Sequence, residues 1–339
     1  MLGVREPSRV TVARGAGFLV GAIGLCVAVA AIGPFDQFIF GEMAAIAIVV
    51  MGLNVLMGVA GLFSVASAAI VGLGATTALF FIVVSGMPFL VSALLTLVAA
   101  WLLGLLLGLV TLRISGIYLA IVTFGLVEAS SAILESPTAF SGTGFGLEAP
   151  AIGLPGGGAV TGAQLAVGAC VFALVVGVVT TRMVRSRPGR AWRALKAEPA
   201  AAELAGVHVA WYRANAFAYS TLLACLGGIL QAFLVSATSP SDYGATLAIQ
   251  HLSYLVTGGM GGGVLGPAAG VLLLFGVPNL FARGLGVYGG IFYGSLMLLA
   301  LTAAPGGIAA AVRFAGVKSW AVLRRTHVAF PEGSDESPA

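Results

Sequence analysis

The sequence predicts an all-α polytopic membrane protein of about ten transmembrane helices, with both termini cytoplasmic. Three observations predict it. The 339-residue chain is 59% hydrophobic and only 8% charged, whereas a soluble domain carries about 25% charge. Most of its exterior must therefore meet lipid rather than water. Its apolar residues fall into runs of roughly 17–25 residues, the length a spanning helix needs. Its basic residues gather on alternate connections between those runs, in keeping with the positive-inside bias.

The runs lie near 16–33, 41–62, 65–84, 88–112, 116–134, 163–181, 212–236, 246–262, 265–282 and 286–304. Residues 1–15 form a basic cytoplasmic tail with Arg5, Arg9 and Arg14. The first run is long and is followed by others, so it reads as a retained span rather than a signal peptide. Gly and Ser interrupt the third and eighth runs. Each reads as a full span or a re-entrant segment, which leaves eight to ten crossings within a transmembrane domain over 16–312.

With the N-terminus inside, ten spans put fifteen of the sixteen Lys and Arg on the cytoplasmic side and leave only Arg283 outside. Eight spans give the same termini, and an odd number strands one basic end. The outer connections carry Asp36, Glu135, Glu148 and Asp242. The longest of them, 135–162, is rich in Gly, Pro and Ser and reads as irregular backbone with a short surface helix. The tail 313–339 is basic, then polar, and reads as disordered.

The net charge of +4 would suggest nucleic acid in a soluble chain. Here the positive-inside bias accounts for it, and no nucleic-acid partner is expected. The 49 glycines suit close helix packing. Cys26, Cys170 and Cys225 sit inside apolar runs without metal-ligand spacing and read as small buried hydrophobes. No metal site is expected.

The polar island at 182–213 is the exception to this composition. It holds Arg182, Arg185, Arg187, Arg190, Arg193, Lys196 and Arg213. Within its loop, 182–212, Pro199 suits the first turn of a helix and Gly206 suits its stop. A short helix with a smooth Ala face follows from Glu198 through Ala201, Ala202 and Glu203. Such a face fits a partner's groove. It is equally an ordinary loop helix carrying positive-inside charge.

Several polar side chains fall at bilayer depth. Asn54, Ser64 and Ser67 border a Gly-rich stretch. Tyr118, Thr123 and Glu128 lie on the fifth run. Such residues line a pathway or bond to neighbouring helices. Glu128 lies roughly 18 Å along its helix from Gly116 and reads as the one carboxylate well inside a span. Gln250 and His251 adjoin in the eighth run, where a lone His is a packing residue or a proton relay. The hairpin Gly258, Gly259, Gly261, Gly266 and Pro267 has a GxGxxG-like look. No strand precedes it and no acidic residue follows at the right distance, so it is no nucleotide site. No GxxxxGK[ST] occurs, so ATP has no phosphate-cradling loop in this chain. His208, His251 and His327 have no triad partners in reach, and no catalytic residue or cofactor is expected.

Four stretches, in order, resemble the permease subunits of bacterial branched-chain amino acid ABC transporters of the LivM type. They are NVLMGVAGLFSVASAAIVGLGA from Asn54, LRISGIYLAIVTFGLVE from Leu112, the segment Gly189 to Gly206, and Ser239-Pro240 through Gly270. Ser141 to Leu147 is similar to the family's T-G-G-x-x-G-L. Three places depart from the pattern: Ala66-Ser67 stands for the family's Gly-His, Gln250 for its usual acidic residue, and Ala197-Glu198-Pro199 for its Arg-Glu-Asn-Glu-like coupling-loop sequence.

The resemblance implies a non-enzymatic importer half in the bacterial inner membrane. It would work with a second, homologous permease, two ATP-binding subunits and an extracytoplasmic binding protein. Gly189 to Gly206, with Arg193 and Glu198, would be the loop that couples to the ATPases. The resemblance also extends to related permeases for urea, short amides or other amino acids. The residues alone also admit a stand-alone secondary transporter or channel using Glu128 and His251, or a membrane scaffold.

Overall fold

A proline at the first helical position starts the central helix earlier than its apolar run suggests. In this computed structural model the described residues are 31–303, apart from 113, 115, 136–146, 151–159, 262 and 282–287, together with Gly24, Val29 and Gly307. Helix α1 runs Pro34–Leu53 and continues as a π-helix over Asn54–Val59. Pro34 has no N–H to lose at this position, and Asp36 in the first turn complements the helix dipole. The stretch read as an outer connection around Asp36 is therefore helix.

The remaining helices are α2 Ser67–Val83, α3 Phe89–Val110, α4 Ile117–Glu135, α5 Gly162–Arg185, α6 Arg187–Ala197, α7 Pro199–Leu204 and α8 Val209–Val235. A 3-10 turn over Pro240–Tyr243 leads into α9, Ala245–Gly258. Then come α10 Leu265–Val271, a π-turn Leu272–Gly276, α11 Val277–Phe281 and α12 Gly289–Ala303. Nine of the ten apolar runs thus coincide with helices, and the first lies mostly outside the described residues. Among the described residues, five stretches are long and apolar enough to cross a membrane: Pro34–Val59, Phe89–Val110, Tyr118–Glu135, Gly162–Arg185 and Val209–Val235. The two interrupted runs give shorter helices, α2 with 17 residues and α9 with 14.

The core forms where α1 and α8 cross, and Ile48, Val49 and Val50 have no exposure. Glycine allows the approach. A Cβ on Gly52 would meet the Ser220 carbonyl oxygen at 2.9 Å, and one on Gly227 the Ala45 carbonyl oxygen at 2.8 Å. The peripheral α3 has the reversed polarity of a lipid-facing helix. Its buried positions are Ser92, Thr96, Gly104 and Gly108, while Leu90, Leu94 and Leu106 are exposed. Ser92 donates to the Ala78 carbonyl at 2.7 Å and Thr221 to the Ala100 carbonyl at 3.0 Å. Polar groups are thus satisfied between helices while leucines cover the outside.

The bundle has two distinct ends. At one, Leu147–Glu148 pairs antiparallel with Ala237–Thr238, near the start of α1. The described part of the 135–162 connection contributes a short strand, and the short surface helix expected there falls on a stretch mostly outside the described residues. The rest of that connection is mostly outside the described residues, as are Ser141 to Gly146. At the other end sit α6, α7 and the π-helix.

Candidate functional site

The backbone between α1 and α2 is the first piece of the site. After Val59 the chain turns at Gly61 (φ +73°) and runs without helix to Ala66 before α2 begins at Ser67. Non-helical backbone inside a bilayer needs protein partners for its N–H groups. Thr123 of α4 accepts from the Val65 N–H at 3.1 Å, and Ser64 accepts from the Ala66 N–H at 3.3 Å. Ser64 and Thr123, picked from the sequence as pathway residues, are therefore the groups that satisfy this break. Ser67 lies 3.3 Å from Nδ1 of His251, which is completely buried in α9. Among the described residues, Nε2 of that imidazole has no hydrogen-bond partner.

Asn54 forms the second piece. It is buried at the start of the π-helix. Its Nδ2 donates to the Gly263 carbonyl at 2.9 Å, and its Oδ1 accepts from the Gly261 N–H at 2.8 Å. One carboxamide thus clamps both arms of the glycine hairpin. The hairpin needs its glycines for contact as well as for turning. A Cβ on Gly258 would collide with the Gly266 carbonyl, and one on Gly270 with the Tyr254 carbonyl. Gly259 and Gly261 have positive φ, and Gly266 and Pro267 are buried at the start of α10.

The basic island is the third piece. It folds as two helices, because Ser186 and Glu198 each adopt extended backbone ahead of a proline at the first or second helical position. Sequence reading anticipated only the second. Trp192 seats α6, with no exposure and its Nε1 donating to the Tyr212 carbonyl at 2.9 Å. Arg187, Arg190 and Arg193 then face outward. On α7 the exposed residues include Ala201, Glu203 and Leu204, preceded by the exposed Glu198 cap and followed by Gly206 at φ +84°. Ala202 is turned inward at 5% exposure, and Leu204, unremarked in the sequence, protrudes at 92%. The exposed surface of α7 therefore carries Glu203 and Leu204 beside Ala200 and Ala201.

These pieces are joined. Lys196, at the end of α6, donates to the Gly58 carbonyl at 2.7 Å. A Cβ on Gly58 would collide with Oδ1 of Asn54, and one on Gly61 would meet Cγ of Lys196 at 2.7 Å. The island, the π-helix and the glycine hairpin are thus in continuous contact.

Other expected residues fall elsewhere. Tyr118 is 70% exposed and Glu128 is exposed too, both on α4. No described contact brings Glu128 to His251. The early start of α1 also corrects the reading of Glu128 as the one carboxylate well inside a span. Glu42 lies in the middle of α1 and lines a cavity of about 680 Å3 with Gln231, Gln250, Tyr254, Asn279 and Tyr293. Pro34 was the available signal, because a helix begun there carries Glu42 two turns inward.

Long apolar helices with outward-facing leucines, a broken segment satisfied by side chains and a glycine hairpin within the bundle define a multi-pass membrane protein. The particular family follows from the comparison with known proteins. Residues 37–301 match the model of the branched-chain amino acid transport system permease component, and the chain belongs to that family. That family is a transporter component, and the chain's LivM-like sequence features agree with this membership. No curated protein matches the chain, and no solved structure does.

Proposed function

We propose that this chain is one membrane half of an ABC importer for branched-chain or related amino acids in the bacterial cytoplasmic membrane. Family membership over residues 37–301 is the observation that carries this reading. In the assembly, a second permease pairs with this one, two ATP-binding subunits dock on the island, and a binding protein delivers substrate from the far side. The transmembrane domain covers 16–312 in ten spans, with residues 1–15 and 313–339 as cytoplasmic tails. This arrangement puts the exposed arginines of α6 in the cytoplasm, as the positive-inside bias requires.

ATP binding draws the docked subunits against Arg193, Glu198, Ala201, Glu203, Leu204 and Gly206. The island moves, and the Lys196 bond to Gly58 passes that motion to the π-helix. Asn54 passes it on to the hairpin Gly258, Gly259, Gly261, Gly266 and Pro267. Only a difference in ATPase contact between two states can shift such an equilibrium. Thr123 and Ser64 hold the broken backbone beside the passage, and Ser67 adjoins His251. Tyr118 and Glu128 face the second permease, since a carboxylate turned to lipid near the bilayer centre costs about 2.5–3.5 kcal/mol. A passage with few polar handles leaves selection to the binding protein.

The test is gentle purification of the tagged chain from native membranes, with its companions identified by mass spectrometry. Recovery of P-loop ATPases and a second permease is expected. Recovery of the chain alone, with solute flux that needs no ATP, would replace this reading with a secondary transporter.

A further inference from the structure

We propose that the cavity beside α1 is a binding site for the zwitterionic head of an α-amino acid, with Glu42 receiving the ammonium group. The inference rests on the amino acid reading of the substrate and assigns it a place. The cavity measures about 680 Å3, within the roughly 300–1,000 Å3 usual for small-ligand sites. Five helices supply its polar groups: Glu42 from α1, Gln231 from α8, Gln250 and Tyr254 from α9, Asn279 from α11 and Tyr293 from α12. In a chain with only 8% charged residues, this convergence is concentrated in one place.

The chemistry of the lining selects the ligand. A carboxylate in a span is costly unless a cation meets it, and no described side chain donates to Glu42. An ammonium group supplies the missing cation. A bare cation would leave the carboxamide donors of Gln231 and Gln250 without a purpose, whereas a carboxylate accepts from them. The wall formed by Ile46, Leu274 and Phe275 is apolar and suits an aliphatic side chain. A zwitterion with an apolar tail satisfies all three surfaces. Gln250 is a neutral carboxamide, so the lining holds one carboxylate to match one ammonium group.

The experiment uses the assembled transporter in native membranes and photo-leucine, a diazirine analogue that cross-links where it binds. Adducts are mapped by peptide mass spectrometry in the wild type, Glu42→Gln and Gln250→Ala, with thermal unfolding of each purified variant as the check on folding. The expected result is an adduct on peptides containing Ile46 or Leu274 and Phe275. Leucine should compete with it, and 4-methylpentanoate, which lacks the ammonium group, should not. Labelling should fall at least tenfold in Glu42→Gln, and to a lesser degree in Gln250→Ala, with unchanged unfolding.

Equal labelling of wild type and Glu42→Gln at this cavity, or competition by 4-methylpentanoate as strong as by leucine, overturns the ammonium assignment and leaves the amino acid reading standing. Adducts confined to other peptides overturn the cavity assignment alone. An assembled wild type that takes up another solute and is never labelled overturns the amino acid reading, and this inference with it.

Discussion

Lys196 donates its ammonium group to the carbonyl oxygen of Gly58 at 2.7 Å, tying the last turn of an exposed amphipathic helix to the buried end of the central one. A charge-assisted bond contributes about 1.5–3 kcal/mol. Removing it with Lys196→Met is expected to uncouple the two layers: ATP hydrolysis by the assembled transporter persists while uptake falls about tenfold or more. Uptake and hydrolysis measured on the same proteoliposomes check this. Equal loss of both would point to misassembly instead.

Asn54→Leu keeps the size of the side chain and removes both of its hydrogen bonds to the hairpin. The Gly261 N–H and the Gly263 carbonyl then lose a partner, at about 1–3 kcal/mol for each group left buried. Thermal unfolding of the purified protein should move down by several degrees. An unchanged midpoint would show that the clamp contributes nothing to the fold.

Thr123→Val strips the acceptor from the Val65 N–H and is expected to destabilise by about 1–3 kcal/mol. Thr123→Ser, which retains the hydroxyl, should restore most of that loss. Hydrogen exchange at the Val65 amide reads the effect directly, with faster exchange in the valine variant only.

Glycines divide sharply by contact. Gly270→Ala drives a Cβ into the Tyr254 carbonyl, whereas Gly294→Ala meets nothing within 4 Å. Overpacking costs about 1–3 kcal/mol, so Gly270→Ala should lower the yield of folded protein and Gly294→Ala should not. Fluorescence-detected gel filtration of the two variants compares them.

Leu204→Asp alters a side chain that is 92% exposed. Insertion and unfolding should stay as in the wild type, while the ATP-binding subunits recovered with the tagged chain fall at least tenfold. Gly206→Val should give the same phenotype through strain, because a β-branched residue is disfavoured at φ +84°. Retention of the ATPases in both variants would move docking away from α7.

The helical framework was legible in the sequence because lipid imposes a length and polarity that few residues violate. Nine of the apolar runs reappear as helices on that account alone. The early start of α1 was not legible from the apolar run, since Asp36 and Gln37 in its first turn look like a connection until the proline at the first helical position is weighed. That error hid Glu42. The island's first helix was missed because its arginines mask a sparse apolar face, Trp192 and Leu195, which only a tertiary partner completes. The residues Asn54, Ser64 and Thr123 were selected for being polar at depth. Periodicity could not foretell that Asn54 and Thr123 hold backbone, because their partners lie as far as 209 and 58 residues away, whereas Ser64 bonds locally to the Ala66 N–H.

Reconstitution of the assembled transporter tests the central claim most directly. Leucine uptake is measured with the binding protein on the substrate side and ATP on the island side, in matched vesicles with and without ATP. The account predicts concentrative uptake that requires ATP and is lost in Lys196→Met. Uptake by the chain alone, independent of ATP and driven by an ion gradient, would contradict it.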